Sequence, residues 1–302
     1  MSCWMIPTSS PCFIILGRFG DISQLLPCFM EIHRRSGHKP VVITSTEYGS
    51  IYDGVSYVQP YLLREHWWSG IPKAKRIAQE LFGNGIVCQF WHEPPKHDDT
   101  IGHGGRNWTT LQSHGQSHGV NLDYDPDYGT SMARRCGFAR DEWVNLPLVF
   151  DRRSAAREEM LLRNVRGTDP RPMLLFNFQG ISSPFAFAPE ILNPLMQRYG
   201  KHFKLVDLGQ INAHRIYDLL VLYDHASGLI TSDTATAHLA PGSNIPWVMC
   251  HVDGWTQSVP KGNCQLSIGY NETPRRINDV MNVVEGWKKN AHIPSVQSLQ
   301  PA

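Results

Sequence analysis

Hydrophobic positions along the chain fall into two patterns. Short continuous apolar runs predict buried strands, and apolar residues at three- and four-residue intervals predict helices. Strands that alternate with helices are typical of parallel sheets. The predicted strands are 12–16, 41–44, 86–90, 173–178, 203–208, 229–231 and 246–250, and the predicted helices are 21–36, 72–82, 154–165, 189–199, 214–223, a segment beginning at Thr234, and 274–289.

These elements divide into two α/β lobes. We predict a first lobe over 1–165, a second lobe over 166–290, and a tail over 291–302. The segment 91–130 is rich in glycine, histidine, aspartate and proline, which is typical of a long surface excursion. A chain of 302 residues is long enough for each lobe to bury its own core.

Composition and charge narrow the class of protein. A hydrophobic fraction of 41% and a charged fraction of 18% are those of a soluble globular protein. A net charge of +1 predicts no polyanionic partner from the field of the whole molecule. The seven cysteines form no CxxC pair, which favours a reducing compartment. The apolar run 13–16 is too short for a signal peptide, and no stretch is long enough to span a membrane. We therefore expect a cytoplasmic protein.

Polar residues follow one apolar run in each lobe. In the second lobe, Leu229 and Ile230 lead into the polar run 231–234, and His238 lies four residues beyond Thr234. This order predicts a strand, a turn and a helix N-terminus, where unpaired N–H groups and a partial positive charge bind phosphate. The segment 12–21 has the same order in the first lobe. Ligands of open α/β sheets bind at such turns, so we expect a cleft between the lobes.

Together the two turns resemble the signatures of heptosyltransferase-like glycosyltransferases. The family's first signature, Gly-Asp followed by Leu-Pro, corresponds to Gly20 and Asp21 with Leu26 and Pro27. Its second signature, Asp-Thr-Gly-x-x-His-Leu, corresponds to residues 233–239. The resemblance implies the α/β GT-B fold, in which two Rossmann-like domains with parallel sheets face each other across a cleft. It also implies that the first domain binds the acceptor and the second a nucleotide sugar.

Two positions depart from the family pattern. Ala235 replaces the glycine that follows Asp-Thr, which limits the approach of a ligand to the backbone. The family usually has a basic residue after the first strand of the second lobe, whereas the loop 179–185 offers the hydroxyl groups of Ser182 and Ser183. The missing charge weakens the case for ADP-heptose as the donor.

By resemblance, the reaction is an inverting, metal-independent transfer of a sugar from a nucleotide diphosphate to a hydroxyl group, without a cofactor. Such a reaction needs a base for the acceptor hydroxyl and a stabiliser for the departing diphosphate. Asp21 is the candidate base. On capping preference alone, Asp21 would serve equally well as a helix cap.

The donor would bind at the turn of the second lobe. There, N–H and hydroxyl groups would hold the diphosphate, His238 would add a further donor, and Asp233 would position donor hydroxyls. The alternatives are a structural histidine at 238 and a helix cap at 233. The candidate donor-binding residues are Asp233, Thr234, Ala235, Thr236 and His238, with Ser182 and Ser183 as weaker candidates that a plain turn would also explain.

For the acceptor we favour the hydroxymethyl group of a pyrimidine in bacteriophage DNA, such as 5-hydroxymethylcytosine, over a lipopolysaccharide-core saccharide. Exposed tryptophans would stack on a base, and basic side chains of the first lobe would face the duplex. The tryptophans would equally pack between the lobes. The candidate acceptor-binding residues are Arg18, Trp67, Trp68 and Trp91, with Trp108 and the basic residues Arg34, Arg35, Lys39, Arg64, Lys73, Lys75 and Arg76 in support.

Other classes of function stay open. A sugar-nucleotide epimerase with the same fold would need no acceptor, and a binding protein would have lost turnover. Calcium binding at 123–134 is disfavoured, because the sixth and twelfth positions of the loop are Tyr128 and Arg134. His114 and His118 have helical zinc-ligand spacing, but the surrounding glycines argue against a helix.

Overall fold

The computed structural model describes residues 11–65, 68–88, 128–180, 185–251 and 261–290. Within these ranges each lobe contains one parallel sheet, with strand order β3-β2-β1-β4 in the first lobe and β6-β5-β7-β8-β9 in the second. The α/β class with two parallel sheets is thereby confirmed. The strands are β1 (Cys12–Ile15), β2 (Val41–Ser45), β3 (Gln59–Leu63), β4 (Ile86–Val87), β5 (Met173–Asn177), β6 (Lys204–Asp207), β7 (Ala226–Ser232), β8 (Trp247–His251) and β9 (Cys264–Gly269).

Helices connect the strands and cover both sheets. None of those in the described ranges has the length and apolar character that a bilayer crossing requires. They are α1 (Phe19–Ser36), α2 (Ile71–Phe82), α3 (Tyr128–Arg135), α4 (Arg140–Asn145), α5 (Ala155–Arg166), α6 (Ala188–Tyr199), α7 (Leu220–Asp224), α8 (Ala235–Leu239) and α9 (Ile277–Asn290), with 3₁₀ helices over Gly49–Gly54, Trp68–Gly70, Leu208–Gln210, Ile216–Leu219, Ala240–Gly242 and Tyr270–Arg275.

The first sheet is apolar on both faces. Phe13 and Ile15 belong to the same apolar cluster as the buried side of α1. Ile14 packs on the opposite face with Ala74 and Ala78 of α2. Successive residues of a strand point to opposite faces, so a strand covered on both sides has to be apolar throughout, as β1 is.

Both faces of the second sheet are covered in the same way. Leu174 of β5 packs on the face that carries α6 and α9. Leu175, its neighbour in sequence, belongs to the cluster on the other face, where α7 and α8 lie. As a result α8 lies on the side of the sheet that faces the first lobe.

The two lobes share one apolar cluster. It includes Ile22 and Leu25 of α1 in the first lobe and Ala237 of α8 in the second. Polar contacts add to this interface, among them the ion pair between Arg215 and Asp53, with 2.9 Å between Nε and Oδ2. The lobes are therefore packed together along α1 and α8.

The helix α5 packs against the second lobe. Its residue Arg157 pairs with Asp218, which is 1% exposed, at 3.0 Å from Nε to Oδ2. The backbone carbonyl of Arg166 accepts a hydrogen bond from Lys204 of β6. The proposed domain boundary at 165/166 assigns most of this helix to the first lobe. That boundary stays a prediction.

Some elements differ from those that the hydrophobic pattern predicts. The sequence pattern did not predict β3 and β9. In β3 the first four residues, from Gln59 to Leu62, are exposed and form no continuous apolar run. The segment 214–223, predicted as one helix, is divided into a 3₁₀ helix and α7. The helix that follows Thr234 spans only five residues before it becomes 3₁₀.

Candidate functional site

The turn after β1 holds Asp21 in a fixed position. Arg18 precedes α1 in an extended conformation, and its backbone N–H donates a hydrogen bond to Asp21 Oδ2 at 2.7 Å. Gly17 makes this close approach possible, since a Cβ atom there would collide with the Asp21 carboxylate. Asp21 therefore caps the helix. A carboxylate in the first turn also complements the helix dipole, which favours its ionised form.

Asp233 and His238 form a pair at the corresponding turn of the second lobe. Asp233 follows the end of β7, and its Oδ1 lies 3.2 Å from His238 Nε2. The side chain of His238 is 11% exposed and that of Asp233 is 4% exposed. The carboxylate thus holds the imidazole in a largely enclosed position.

His238 lies against the turn that carries Asp21. A Cβ atom at Gly20 would be 2.7 Å from Cδ2 and 3.4 Å from Nε2 of His238. The helix α1, which begins at this turn, packs on α8 across the interface between the lobes. The structure therefore brings the two sequence signatures together, with Asp21 on one side of the contact and the Asp233–His238 pair on the other.

One oxygen of Asp233 is left unsatisfied. Among the described residues, Asp233 Oδ2 is buried without a hydrogen-bond partner. Tyr270 lies nearby: burial raises the pKa of its phenol, and the charge of Asp233 raises it further. Buried carboxylate oxygens are normally hydrogen-bonded, so an orphaned one marks a place where a ligand hydroxyl would be stabilised.

A group of hydroxyls lies beside this pair. Thr234 Oγ1 and Thr236 Oγ1 are 2.6 Å apart, and Thr231 Oγ1 is 3.2 Å and 3.1 Å from them, respectively. Because α8 is a five-residue helix, its dipole contributes little at its N-terminus. Anion binding at this turn would depend mainly on hydroxyl and main-chain N–H donors.

Asn177 belongs to the same group and was missed by the sequence reasoning. It is the last residue of β5, 7% exposed, and its Nδ2 donates to Thr236 Oγ1 at 3.3 Å. The available signal was a polar residue at the carboxyl end of an apolar strand. That is the end of a parallel sheet where ligands bind.

A small cleft opens between the lobes beside His238. Its first-lobe wall is formed by α1 and by Trp143 of α4. Lys261 Nζ lies 3.8 Å from the centre of the Trp143 ring and donates to the Trp143 carbonyl at 2.6 Å. The lining residues are Ser23, Gln24, Pro27, Trp143, Leu148, Ala237, His238, Pro241, Trp247 and Lys261.

Of the predicted acceptor residues, Arg18 is half-buried beside the Asp21 turn. Phe19 packs edge-on against Tyr48, with ring centroids 5.1 Å apart. Burial raises the pKa of Tyr48, and the neighbouring Arg18 opposes that effect. Arg18 therefore lies near the phenol of Tyr48 in the first lobe. The acceptor role of Arg18 stays a prediction.

Several of the remaining candidates lie outside the described residues, and some of the basic ones are in ion pairs. Ser182, Ser183, Trp67, Trp91 and Trp108 lie outside the described ranges, as does the side chain of Trp68. Three of the seven basic residues considered for nucleic acid are in ion pairs. These are Arg34 and Arg35 with Glu31, and Lys73 with Glu65.

Two lobes that each contain one parallel sheet and pack against each other are the arrangement of the GT-B class of fold. Comparison with solved structures agrees with this class. E. coli ADP-heptose LPS heptosyltransferase II matches with a TM-score of 0.57 and 13% identity, covering 93% of this chain and 100% of its own. A family 9 glycosyltransferase from Veillonella parvula matches with a TM-score of 0.55 and 13% identity, covering 94% and 98%.

E. coli heptosyltransferase WaaC, solved with ADP, matches with a TM-score of 0.53 and 14% identity, covering 93% of this chain and 99% of its own. No protein-family model and no curated protein matches the sequence. At such low identity these likenesses establish the fold, which extends over nearly the whole chain.

Proposed function

We propose that this protein is an inverting, metal-independent glycosyltransferase that moves a sugar from a nucleotide-diphosphate sugar to a hydroxyl acceptor. The observation that carries the proposal is the contact between Gly20 and His238. It brings a carboxylate on the first lobe close to a group of hydroxyl and imidazole donors on the second. Glycosyl transfer needs a base and a leaving-group stabiliser on opposite sides of one reacting centre.

On the donor side, the hydroxyl of Thr234 and the main-chain N–H of Ala235 are proposed to bind the diphosphate, with the Thr236 hydroxyl 2.6 Å from that of Thr234. His238 Nε2 is held by Asp233, so a further hydrogen bond to the leaving group would come from Nδ1 of the protonated imidazole. The unsatisfied Oδ2 of Asp233 would accept a hydrogen bond from a hydroxyl of the donor. Support comes from the fold shared with a heptosyltransferase that was solved with ADP.

On the acceptor side, Asp21 is proposed to take the proton of the attacking hydroxyl. Its carboxylate is held in place by the hydrogen bond that Oδ2 accepts from the Arg18 backbone N–H. A carboxylate is a weak base at neutral pH, and it becomes effective when the attacking oxygen loses its proton late, as the bond to the departing diphosphate breaks. The products would be an inverted glycoside and a nucleoside diphosphate.

The acceptor is proposed by chemical class only, as an alcohol. A hydroxymethylated pyrimidine in DNA remains our hypothesis for its identity, and a saccharide is the alternative. The paired state of Arg34, Arg35 and Lys73 reduces the positive charge available for a duplex. The two acceptors are therefore compared directly in the experiment.

A thermal-shift series with ADP, GDP, CDP and UDP tests the donor half, because a ligand that binds the folded state raises the melting temperature. The preferred diphosphate then fixes which sugar nucleotides are offered with hydroxymethylated duplex DNA or with oligosaccharides. Release of the diphosphate that requires one of these acceptors supports the proposal. Conversion of the sugar nucleotide without an acceptor would indicate an epimerase, and binding without turnover would indicate a binding protein.

Dependence on metal is tested in the same assay. Excess EDTA is expected to leave the rate unchanged within about twofold, since the proposed leaving-group stabilisers are side chains and main-chain N–H groups. Loss of activity with EDTA, and its return on adding a divalent cation, would contradict the metal-independent mechanism.

A further inference from the structure

Asn177 has a fixed orientation beneath the group of threonine hydroxyls. The backbone N–H of Gln179 donates to Asn177 Oδ1 at 2.9 Å. Since a backbone N–H can only donate, the oxygen of the amide must occupy this position. The amide nitrogen therefore points to Thr236 Oγ1, 3.3 Å away, as a donor.

The proton of Thr231 is directed away from the group. Thr231 Oγ1 lies 2.9 Å from the Ser232 carbonyl and 3.1 Å from the Asn177 carbonyl. Carbonyl oxygens only accept, so either of them can take the single hydroxyl proton of Thr231. With its proton there, Thr231 accepts hydrogen bonds from its neighbours and supplies them with none.

Thr234 and Thr236 have to share one proton. Their hydroxyl oxygens are 2.6 Å apart, a distance at which two oxygens repel each other unless a proton lies between them. Each hydroxyl has one proton, so either Thr234 or Thr236 supplies it. If Thr236 supplies it, the proton of Thr234 can go to Thr231, 3.2 Å away, or to a ligand at the half-buried surface of the turn.

We propose that Asn177 is a positioning residue that keeps the Thr234 proton available to the diphosphate of the donor. The Asn177 amide donates to Thr236 and makes no demand on its proton, so Thr236 can donate to Thr234. The hydrogen bonds then run from Asn177 through Thr236 and Thr234 to the anion. Successive donors polarise one another in the same direction. This inference rests on the proposed function, which places a diphosphate at Thr234.

A hydrogen-bond acceptor at position 177 would reverse the direction of these hydrogen bonds. In Asn177→Asp, the introduced carboxylate would take the proton of Thr236. Thr234 would then have to supply the proton that the 2.6 Å contact requires, and it would have none for a ligand. In Asn177→Ala, no acceptor is introduced, so Thr236 would still donate to Thr234.

The two variants at position 177 separate this role from a packing role. Dissociation constants are measured by calorimetry at pH 8 for ADP, GDP, CDP and UDP, and the tightest of the four is followed in the variants. We expect Asn177→Asp to bind about 30- to 100-fold more weakly than wild type, as for the loss of a hydrogen bond to a charged group. Asn177→Ala should remain within about fivefold. A packing role predicts the opposite order, because aspartate is nearly isosteric with asparagine and alanine is not.

A double variant separates reversal of the hydrogen bonds from simple charge repulsion between the introduced carboxylate and the diphosphate. Thr236→Val removes the hydroxyl that competes for the Thr234 proton, and the single variant should bind within about fivefold of wild type. Added to Asn177→Asp, it should recover at least about fivefold of the lost affinity. Charge repulsion alone predicts no recovery. Lowering the pH to 5 should also narrow the gap between Asn177→Asp and wild type, since burial at position 177 raises the pKa of the introduced carboxyl and a protonated carboxyl can donate to Thr236.

The outcomes are distinguishable. Tight binding to Asn177→Asp, or equal losses in Asn177→Asp and Asn177→Ala, would overturn the role of Asn177 while leaving the donor site intact. If wild type binds none of the four diphosphates, the proposed function fails, and the role of Asn177 fails with it. If Asn177→Asp does not fold, Thr236→Val still tests the proposal. The proposal requires Thr234 to donate in the absence of the Thr236 hydroxyl, so a loss of affinity of more than about tenfold in Thr236→Val would contradict it.

Discussion

At the scale of single residues, Asp21 has a structural role that can be separated from the proposed chemical one. Its Oδ2 accepts the Arg18 backbone N–H, which one oxygen of an asparagine side chain can equally do. An amide cannot take a proton from an alcohol at neutral pH. The isosteric change therefore keeps the cap and removes the base.

We expect Asp21→Asn to lower kcat by about 10²- to 10⁴-fold, the usual contribution of a general base. Its affinity for the nucleoside diphosphate should stay within about threefold of wild type, and its melting temperature should be close to that of wild type. Asp279→Asn is the matched control, because Asp279 also lies in the first turn of a helix but on the face of the second sheet away from the first lobe. Full activity in Asp21→Asn would show that Asp21 only caps its helix.

Gly20 is required by the close approach of the two lobes. A Cβ atom there would lie 2.7 Å from the ring of His238, whose position is held by Asp233. Gly20→Ala should displace the ring or separate the lobes, at a cost of about 1–3 kcal/mol as for other overpacked sites. We expect transfer to fall more than stability, because the imidazole would leave its place opposite Asp21.

The measurements for Gly20→Ala are kcat and the urea midpoint, with Gly286→Ala as control. A Cβ atom at Gly286, within α9, would meet nothing within 4 Å, so that change should be neutral or slightly stabilising. Unchanged kcat in Gly20→Ala would contradict the proposal that His238 acts from its observed position.

At the scale of elements, an ion-pair network joins α1 to α4. Arg34 and Arg35 both donate to Glu31, and Arg35 also pairs with Glu142. The pKa of Glu31 is lowered from 4.5 to about 2, first by the hydrogen bond from Arg34 and also by Arg35, with burial opposing the shift. A lowered pKa in the folded state means that the ionised network stabilises the fold above pH 4.5 and that this stabilisation is lost as the pH falls towards 2.

We expect Glu31→Gln to be less stable than wild type at pH 6, by about 1 kcal/mol after solvent screening of the exposed arginines. The difference should shrink at pH 3, which lies below the unfolded-state pKa of 4.5, because the unfolded chain then takes up a proton that the folded state does not. Urea unfolding at both values measures it. Glu159→Gln is the control, since Glu159 and its partner Arg163 are both exposed and should contribute little at either pH. An equal loss at pH 6 and pH 3 would contradict the assignment of the titration to Glu31.

Strands that are buried on both faces were easier to predict from the sequence than an exposed strand. β1 and β5 are covered on both faces, so their sequences are apolar throughout and predict strands directly. β3 lies at the edge of its sheet with exposed side chains, and its neighbours in space rather than its own sequence make it a strand. The length of α8 also depends on its surroundings. The sequence predicts a helix after Thr234 but does not predict that it spans only five residues.

The site was predictable where a single short segment carries it. Residues 233–238 could be assigned because the turn and its side chains are adjacent in sequence. Asn177 could not, because its contact with Thr236 joins β5 to α8, and the two residues are 59 positions apart in the chain. The contact between Gly20 and His238 depends likewise on how the two lobes pack, which no local pattern records.

At the scale of the whole molecule, the lobes are joined by a continuous apolar cluster. Phe150, in the segment that connects them, stacks on Tyr217 of the second lobe with ring centroids 5.2 Å apart. Gly54 of the first lobe lies against the same two rings, where a Cβ atom would be 2.8 Å from each. Lobes with this much shared core are expected to unfold together, in contrast to lobes joined only by a linker.

We therefore expect one calorimetric unfolding transition for the whole chain, with calorimetric and van't Hoff enthalpies in agreement. Phe150→Ala should destabilise the protein by about 3–5 kcal/mol, as for other buried phenylalanines, and should lower the transition of both lobes. Met160→Ala, at a methionine that is 59% exposed, should change stability by less than about 0.5 kcal/mol. Two resolved transitions in wild type, or a Phe150→Ala variant in which only one lobe is destabilised, would show that the lobes fold independently. In that case the position of His238 relative to Asp21 would depend on closure of the two lobes when a ligand binds, rather than on a preformed interface.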